Sequence, residues 1–453
     1  MSKYTEFSGR ASLMLVGLRM RALGIWKVVE QKVVIEQKVI VHRAIDKLLD
    51  AFMVILAGGR GIAEVNTRVR PDRLLQAAFG RTGCAEQSNV SETLNASTAA
   101  NVAQLTEAVT LIYRQHSQAK GHDYQRTVQV LDVDMTGMPA GRRGEGVTRG
   151  YFAQEKKRRG RQLGRVTASW YDEIVSQKLY PGNRQLHASL RELVEQAEAV
   201  LQLTDAQRAR TVLRIDGGGG ETEHINWELS RGYLILVKAE GWKRIAKLAK
   251  SVKRWVMDPR DPGREVAFAP QPYPYAKPTR QLLVRTRKQN GTFALSMLVC
   301  NVPHRFLATL GHYPIRNVVE DDDLMFAMLY AYDRRGGAAE TQFKADKQGL
   351  FLAKRTKRAF AAQQMLVLLA QLAHNLLVWL RRLFPDTPAG PRHFGMLRLV
   401  RDVWAIPGEV QCDARGQVCT ISLNQRCPYA ALLVQAFASL LAADGVVLNL
   451  RQI

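Results

Sequence analysis

The residues whose types and spacing suggest chemistry lie between Tyr332 and Lys347, where one carboxylate is surrounded by cations. Glu340 follows a glycine pair, Gly336-Gly337. If a helix begins near Glu340, then Lys344 and Lys347 lie on its own face, because residues four and seven positions apart share a helix face. This pattern suits a metal-bound phosphate. It also suits a solvated helix with salt bridges between successive turns, so the segment alone leaves both interpretations open.

Two other segments place aspartates at the end of a β-rich run. Thr127–Met135 contains Asp132 and Asp134, which project from the same face because they are two residues apart. Thr211–Ile215 is followed directly by Asp216 and four glycines. A carboxylate on a buried strand is costly unless it binds or pairs with a cation. Either aspartate of the first run could be a metal ligand, and Asp216 taken alone could be a turn residue or a helix cap.

The cationic segment carries a recognisable signature. Tyr332, Arg335, Glu340 and Lys347 resemble the Tyr-Arg-Glu-Lys signature in the catalytic helix of bacterial insertion-sequence transposases of the DDE type. Two residues separate Tyr332 from Arg335 and six separate Glu340 from Lys347, as in that signature. Four residues, where the signature has three, separate Arg335 from Glu340. Arg334 and Arg335 are therefore both candidates for the arginine of the signature.

The resemblance also assigns roles to the upstream carboxylates. Asp134, which precedes Met135-Thr136, resembles the first catalytic aspartate of the family, and Asp216 resembles the second. The resemblance implies that Asp134, Asp216 and Glu340 bind two Mg²⁺ or Mn²⁺ ions, which prefer oxygen ligands. It further implies hydrolysis at the ends of a mobile element, followed by attack of the freed 3′-hydroxyl on target DNA. Residues expected to contact DNA phosphates in this segment are Tyr332, Arg334 or Arg335, Lys344 and Lys347.

The overall charge agrees with a polyanionic partner. The chain has 453 residues and a formal net charge of +24, with the cations spread through most segments. A membrane surface would also attract such a chain, but we recognise no signal peptide, and the most apolar stretch, Met365–Leu380, contains Gln371, His374 and Asn375. That stretch is predicted to be a buried helix. The sequence therefore favours DNA over a membrane.

Residues 141–165 form a glycine-punctuated, densely basic segment that includes Arg158, Arg159 and Arg161. Such runs are most often solvated loops. Its position after a candidate metal ligand also suits a hairpin that grips DNA phosphates. The five cysteines have no zinc-module spacing and are expected to be reduced thiols.

The predicted fold is α/β, with a ribonuclease-H-like core, a β-rich insertion and an all-helical N-terminal domain. A continuous helix is expected over Trp26–Leu56, a strand over Val166–Val175, and a hairpin around Asn290-Gly291. The predicted division is a helical DNA-end-binding domain (1–120), the first part of the core (121–240), the insertion (241–319), the second part of the core (320–384) and a C-terminal appendage (385–453).

These expectations add up to a DNA transposase of the bacterial cytoplasm and nucleoid. By the resemblance, it acts on double-stranded DNA at terminal repeats and target sites, as a homodimer on DNA. Two alternatives remain open. A ribonuclease-H-like nuclease would use the same carboxylates without strand transfer, and a sequence-specific DNA-binding protein would have lost the chemistry.

Overall fold

The computed structural model describes residues 4–38, 41–150, 152, 158–314, 320–336 and 340–453. The helices are α1 (Ala11–Ala22), α2 (Ile25–Lys32), α3 (Ala44–Leu56), α4 (Val65–Arg68), α5 (Arg73–Ala78), α6 (Gln87–Asn95), α7 (Ala99–His116), α8 (Leu190–Leu201), α9 (Asp205–Arg208), α10 (Thr222–Ser230), α11 (Trp242–Lys250), α12 (His304–Gly311), α13 (Asp321–Asp333), α14 (Thr341–Gly349), α15 (Phe360–Arg381), α16 (Met396–Arg398) and α17 (Ala430–Ala443). The strands are β1 (Tyr4–Ser8), β2 (Gln129–Pro139), β3 (Thr148–Arg149), β4 (Arg159–Ala168), β5 (Glu173–Pro181), β6 (Thr211–Ile215), β7 (Leu234–Lys238), β8 (Val256–Asp258), β9 (Asp261–Phe268), β10 (Arg280–Arg287), β11 (Phe293–Cys300), β12 (Gly408–Cys412), β13 (Val418–Asn424) and β14 (Val447–Arg451).

The chain divides into two compact units. Unit 1 consists of residues 1–117, 138–147 and 343–453, and unit 2 of residues 118–137 and 148–342. Each unit has a hydrophobic core of its own. Asp134, Asp216 and Glu340 all belong to unit 2, whereas Lys344 and Lys347 belong to unit 1.

Unit 2 is built on the larger sheet, whose strands run in the order β3-β4-β2-β6-β7-β11-β10-β9-β8, with β5 paired to β4. Strands β2, β6 and β7 are parallel neighbours, and α10 provides the crossover between β6 and β7 that parallel strands need. All five residues of β6 are buried, as expected for a strand covered on both faces. Strand β6 ends opposite Val133, and β2 continues beyond that point to Pro139.

The β-rich region predicted as an insertion extends this sheet. Strand β11 pairs antiparallel with β7, and β10 and β9 follow it outward. The hairpin around Asn290-Gly291 is confirmed, with Arg287 opposite Phe293 and Gly291 at a φ of +80°. Residues 315–319 of the predicted insertion lie outside the described residues.

Unit 1 combines helices with a four-stranded sheet in the order β1-β12-β13-β14. The segment before residue 117 and the segment after residue 385, predicted as separate regions, contribute side chains to the same core, for example Phe52 and Phe437. The first segment is not entirely helical, because β1 pairs antiparallel with β12. An alternating YTEFS segment can add a strand to that sheet edge.

Helix α15 is the described helix that is long and apolar enough to cross a membrane by length and composition, and 94% of its most apolar window is buried inside the protein. His374 on this helix contacts Asp346, with 2.7 Å between Nδ1 and Oδ1, and both side chains are buried. Burial of this kind is typical of a core helix. The prediction of a buried helix here is confirmed.

Two sequence-based boundaries were wrong. The expected helix Trp26–Leu56 ends at Lys32, where α2 gives way to extended backbone at Val33, with φ −99° and ψ 115°. A run of β-branched residues, Val33 to Ile35, disfavours helix, and the Val34 N–H donates instead to the Gln104 side chain at 3.1 Å. The expected strand Val166–Val175 is divided by a turn between β4 and β5, in which Asp172 adopts a φ of +55°.

A buried ion pair joins three elements of unit 2. The Arg214 guanidinium of β6 donates to both Asp132 carboxylate oxygens of β2, at 2.6 and 2.8 Å. It also donates to the Ala331 carbonyl of α13 at 2.7 Å. Asp132 is 0% exposed and Arg214 3% exposed. Asp132 is therefore bound to a structural partner.

Asp132→Asn is expected to lower the free energy of unfolding by about 3 kcal/mol, because Arg214 then keeps its charge in the core without a matching carboxylate. Urea denaturation measures this difference. Asp205→Asn is the matched control, since the Asp205 side chain is 94% exposed in its pair with Arg208 and should change stability by less than about 1 kcal/mol. Equal effects of the two substitutions would contradict the structural role of Asp132.

Candidate active site

Asp134 lies in the middle of β2, two residues beyond the structural Asp132 and directly after Val133, the last residue of β2 that pairs with β6. Its carboxylate accepts the Met135 N–H at 2.8 Å and lies 3.0 Å from the Arg335 guanidinium. The residue is 8% exposed. Asp132 is bound by Arg214, whereas Asp134 is the carboxylate of this strand that contacts Arg335.

Asp216 follows β6 directly, and β6 pairs in parallel with β2 so that Ile215 lies opposite Val133. The Asp216 carboxylate accepts the Gly218 N–H at 3.0 Å, which fixes its orientation at the start of a short turn. The glycines are needed for close packing: a Cβ on Gly220 would lie 1.9 Å from the Lys238 carbonyl oxygen. Strand pairing thus places Asp216 beside Asp134.

Glu340 immediately precedes α14, as the sequence predicts, and residues 337–339 lie outside the described residues. The next turn is anchored through Gln342, whose Oε1 accepts from Arg165 at 3.0 Å and from Thr167 at 2.9 Å. The Gln342 amide nitrogen donates to Asp172 at 2.9 Å. These bonds connect the start of α14 to the β4–β5 hairpin and so limit where Glu340 can lie. Gln342 carries no motif signal and is missed by sequence reasoning.

Arg335 connects two of the three carboxylates. Its guanidinium lies 3.0 Å from Asp134 and 3.5 Å from Glu340. Arg335 is 3% exposed, whereas Arg334 is exposed at the end of α13. The structure therefore places Arg335, rather than Arg334, at the carboxylates. Two of its nitrogens, Nε and one terminal NH₂, lack a well-aligned hydrogen-bond acceptor among the described residues.

The electrostatics show that these groups are close enough to interact. Burial raises the pKa of Asp134 to about 6, with Asp216 and Glu340 contributing in the same direction and Arg335 opposing them. Tyr332 is half-buried, and burial together with the three nearby carboxylates raises the pKa of its phenol. Asp134, Asp216, Glu340, Tyr332 and Arg335 thus form one interacting group, which we call the carboxylate cluster.

The donor set of the cluster fits a divalent cation. Carboxylate oxygens are the ligands that Mg²⁺ and Mn²⁺ prefer, and the Arg335 guanidinium is a positive group held by two of them. Within the part of the chain that the structure describes, no three Asp, Glu, His or Cys side chains lie at metal-binding spacing.

The other predicted DNA contacts are not brought into this cluster. Arg158 is exposed and Arg159 half-buried, but Arg161 is 1% exposed within β4. The prediction that Arg161 contacts DNA is therefore not supported by its position, because β4 continues through the basic segment and turns this side chain inward. Residues 151 and 153–157 of that segment lie outside the described residues. In unit 1, Lys344 is exposed and Lys347 half-buried on α14.

A cavity of about 740 Å³ adjoins the Asp216 turn and is bordered by Gly217, Lys238 and the start of α11. Trp242 at its edge is 75% exposed. Trp255, which lies between α11 and β8, is half-buried, with the Arg285 guanidinium 4.4 Å from its ring centre. Trp242 is therefore the more exposed of these two rings.

Comparison with known protein families identifies the family of the chain. The family model described as transposase DDE domain group 1 matches residues 5–444. The chain belongs to this family of DDE transposases. DDE transposases act on DNA and normally use divalent metal ions. The match confirms the coarser part of the expectation, that the chain is a transposase of the DDE type.

Among solved structures, the DDE transposase is similar to a piggyBac transposase in a cryo-EM synaptic complex with hairpin DNA. The two chains are 10% identical, the match covers 89% of this chain and 82% of that chain, and the TM-score is 0.46. No curated protein sequence gives a significant match.

Asp134→Asn is expected to stabilise the metal-free transposase at pH 7 by on the order of 3 kcal/mol, because the raised pKa means that ionised Asp134 opposes folding. Below pH of about 4 the carboxyl is protonated in both the folded and unfolded states, so the difference should vanish. It should grow as pH rises to about 6 and then stay constant. Urea denaturation in chelator from acid to neutral pH measures it. Lower stability of the variant at pH 7 would show that the ion pair with Arg335 outweighs burial.

Proposed function

We propose that this DDE transposase cleaves DNA at the ends of a mobile element and transfers the 3′-hydroxyl to target DNA, at the cluster of Asp134, Asp216 and Glu340. The observation that carries the proposal is the buried Arg335 guanidinium held between Asp134 and Glu340, with Asp216 on the neighbouring strand. Two carboxylates that hold one cation, with a third beside them, form a site with an affinity for positive charge. Divalent ions are the cations that phosphodiester chemistry requires.

Two Mg²⁺ or Mn²⁺ ions bound by these carboxylates would supply an activated oxygen nucleophile and charge stabilisation at the leaving oxygen. Asp134 must lose its proton to serve as a ligand, and a nearby cation favours that loss. The Gly218 N–H keeps Asp216 oriented without neutralising it. Two Arg335 nitrogens lack a well-aligned acceptor among the described residues, and a phosphate oxygen would satisfy them.

The strand order of unit 2 and the net charge of the chain support two further parts of the proposed function. We propose that β5, β4, β2, β6 and β7 form a ribonuclease-H-like core, supported by their order and by the parallel β2-β6-β7 run. The net charge of +24 supports double-stranded DNA as the partner, both as terminal repeats and as target. We further propose that the protein acts as a homodimer on DNA. We also propose that it is encoded by a bacterial insertion sequence and is associated with the nucleoid.

A DNA-binding protein without catalysis is the second candidate. It is favoured by one observation, that the described carboxylates hold Arg335 and are not at metal-binding spacing. In that case the cluster would be a structural ion network. The two candidates differ in whether a divalent metal supports cleavage.

Asp134→Ala, Asp216→Ala and Glu340→Ala are each expected to reduce metal-dependent cleavage of DNA carrying the element's ends by at least about 1,000-fold, since each removes a ligand of the ions. Binding of the same DNA should be retained. A gel assay with Mg²⁺ or Mn²⁺ separates the two activities. Glu223→Ala is the control, because that side chain is 78% exposed in a pair with Arg191.

Loss of cleavage and joining in the three variants alone would support the proposal. Specific DNA binding without cleavage by the unaltered protein in any divalent metal would identify the DNA-binding alternative. Cleavage without joining of the 3′-hydroxyl would indicate a nuclease.

Arg335→Gln is expected to lower the cleavage rate by roughly 100-fold, because a buried donor directed at the reacting phosphate is lost. Arg334→Gln, the same substitution at the exposed neighbour, should change the rate less than about threefold. Single-turnover kinetics with saturating DNA measure both rates, and circular dichroism checks folding. Equal losses in the two variants would remove the distinction between these arginines.

A further inference from the structure

Unit 1 contains a basic cavity whose residues do not belong to the carboxylate cluster. A cavity of about 430 Å³ lies between residues 140–144 and residues 356–358. Among the described residues, its lining contains no carboxylate and four cationic side chains, namely Arg142, Arg143, Lys357 and Arg358. Four positive charges around one cavity repel one another, and a bound anion would offset that repulsion. The lining therefore indicates an anionic ligand.

The two walls of the cavity are fixed to each other by Glu145. Its backbone N–H donates to the Arg358 carbonyl at 2.9 Å, and its carboxylate accepts the Phe360 N–H at 2.8 Å. Phe360 is the first residue of α15, so the second bond caps a long core helix. On the other wall, the Gly144 N–H donates to the Gly141 carbonyl at 3.0 Å and closes a tight turn. These bonds hold the two basic segments in a defined arrangement.

The Lys357 side chain is also held in place. Its ammonium donates to the Ser91 hydroxyl and, at 3.3 Å, to the Ser91 carbonyl, while its backbone N–H donates to Gln363 at 2.7 Å. Burial lowers the pKa of Lys357. An anion in the cavity would favour the charged ammonium and offset that cost.

Arg142 and Arg143 complete the charge of the opposite wall. Both are exposed, and neither guanidinium forms an ion pair with any described carboxylate. Exposed arginines without a carboxylate partner keep their planar donor groups available for phosphate oxygens. The cavity therefore presents fixed donors on one wall and adaptable guanidinium groups on the other.

We propose that this cavity binds the phosphodiester backbone of DNA outside the carboxylate cluster. The proposal rests on the proposed function for its ligand, and it adds a sequence-independent contact that positions DNA on the protein. Each phosphate that an arginine neutralises releases bound counterions. The contribution of Arg142 and Arg143 should therefore appear in the salt dependence of binding.

The test compares Arg142→Gln/Arg143→Gln with the unaltered full-length protein. Fluorescence anisotropy measures binding to a labelled duplex of about 30 base pairs and arbitrary sequence, at salt concentrations from about 50 to about 300 mM. The slope of log K against log salt should fall in magnitude by about 2 in the double variant. Arg415→Gln/Arg426→Gln is the matched control, because both arginines are exposed in unit 1 outside the cavity. Its slope should stay within about 0.5 of the unaltered value.

The outcomes separate this site from the function on which it rests. If both double variants show the same slope, the cavity is not a phosphate site, and DNA binding by other parts of the chain stands. If the unaltered protein shows no salt-dependent binding to duplex DNA, both the site and the proposed function fail. Loss of slope in Arg142→Gln/Arg143→Gln alone supports the site, since these exposed substitutions preserve the core.

Discussion

The ion pair between Arg214 and Asp132 determines how unit 2 presents its carboxylates. The Arg214 guanidinium, on β6, donates to the Asp132 carboxylate on β2 and to the Ala331 carbonyl on α13. One set of hydrogen bonds thus joins two neighbouring strands to the helix that precedes Arg335. Removing either charge would leave the other buried without the opposite charge that this pair supplies. Because Asp132 is engaged in this way, Asp134 is left to face Asp216, Glu340 and Arg335.

The carboxylate cluster is balanced by a cation from the chain itself. Burial, together with the nearby Asp216 and Glu340, raises the pKa of Asp134, and the Arg335 guanidinium opposes that effect. Divalent ions would take over this role with more charge, and the guanidinium would then be available to a phosphate. The same side chain can thus stabilise the metal-free protein and contact the substrate. Under the proposed function, Arg335 would therefore connect the stability of the site with its chemistry.

Local patterns predicted much of the fold and the candidate site. The buried β-rich runs became β2 and β6, the Asn-Gly turn became a hairpin, and Glu340 precedes a helix, because each depends on residues close in sequence. What failed depends on tertiary contacts. Burial distinguishes Arg335 from Arg334, and the extent of β4 turns Arg161 inward. The start of α14 is anchored by a hydrogen bond between Gln342 and Arg165, which are far apart in sequence. The shared core of the two chain ends in unit 1 likewise has no local signal.

The proposed function requires that Asp134, Asp216 and Glu340 hold divalent ions for chemistry on DNA. Anomalous diffraction from crystals grown with Mn²⁺ and a DNA end tests it most directly, because the scattering locates the metal independently of any assumed role. The account predicts manganese peaks coordinated by these three carboxylates, with Arg335 displaced toward a DNA phosphate. Crystals that bind DNA but show Arg335 still between Asp134 and Glu340, with no manganese there, would contradict it.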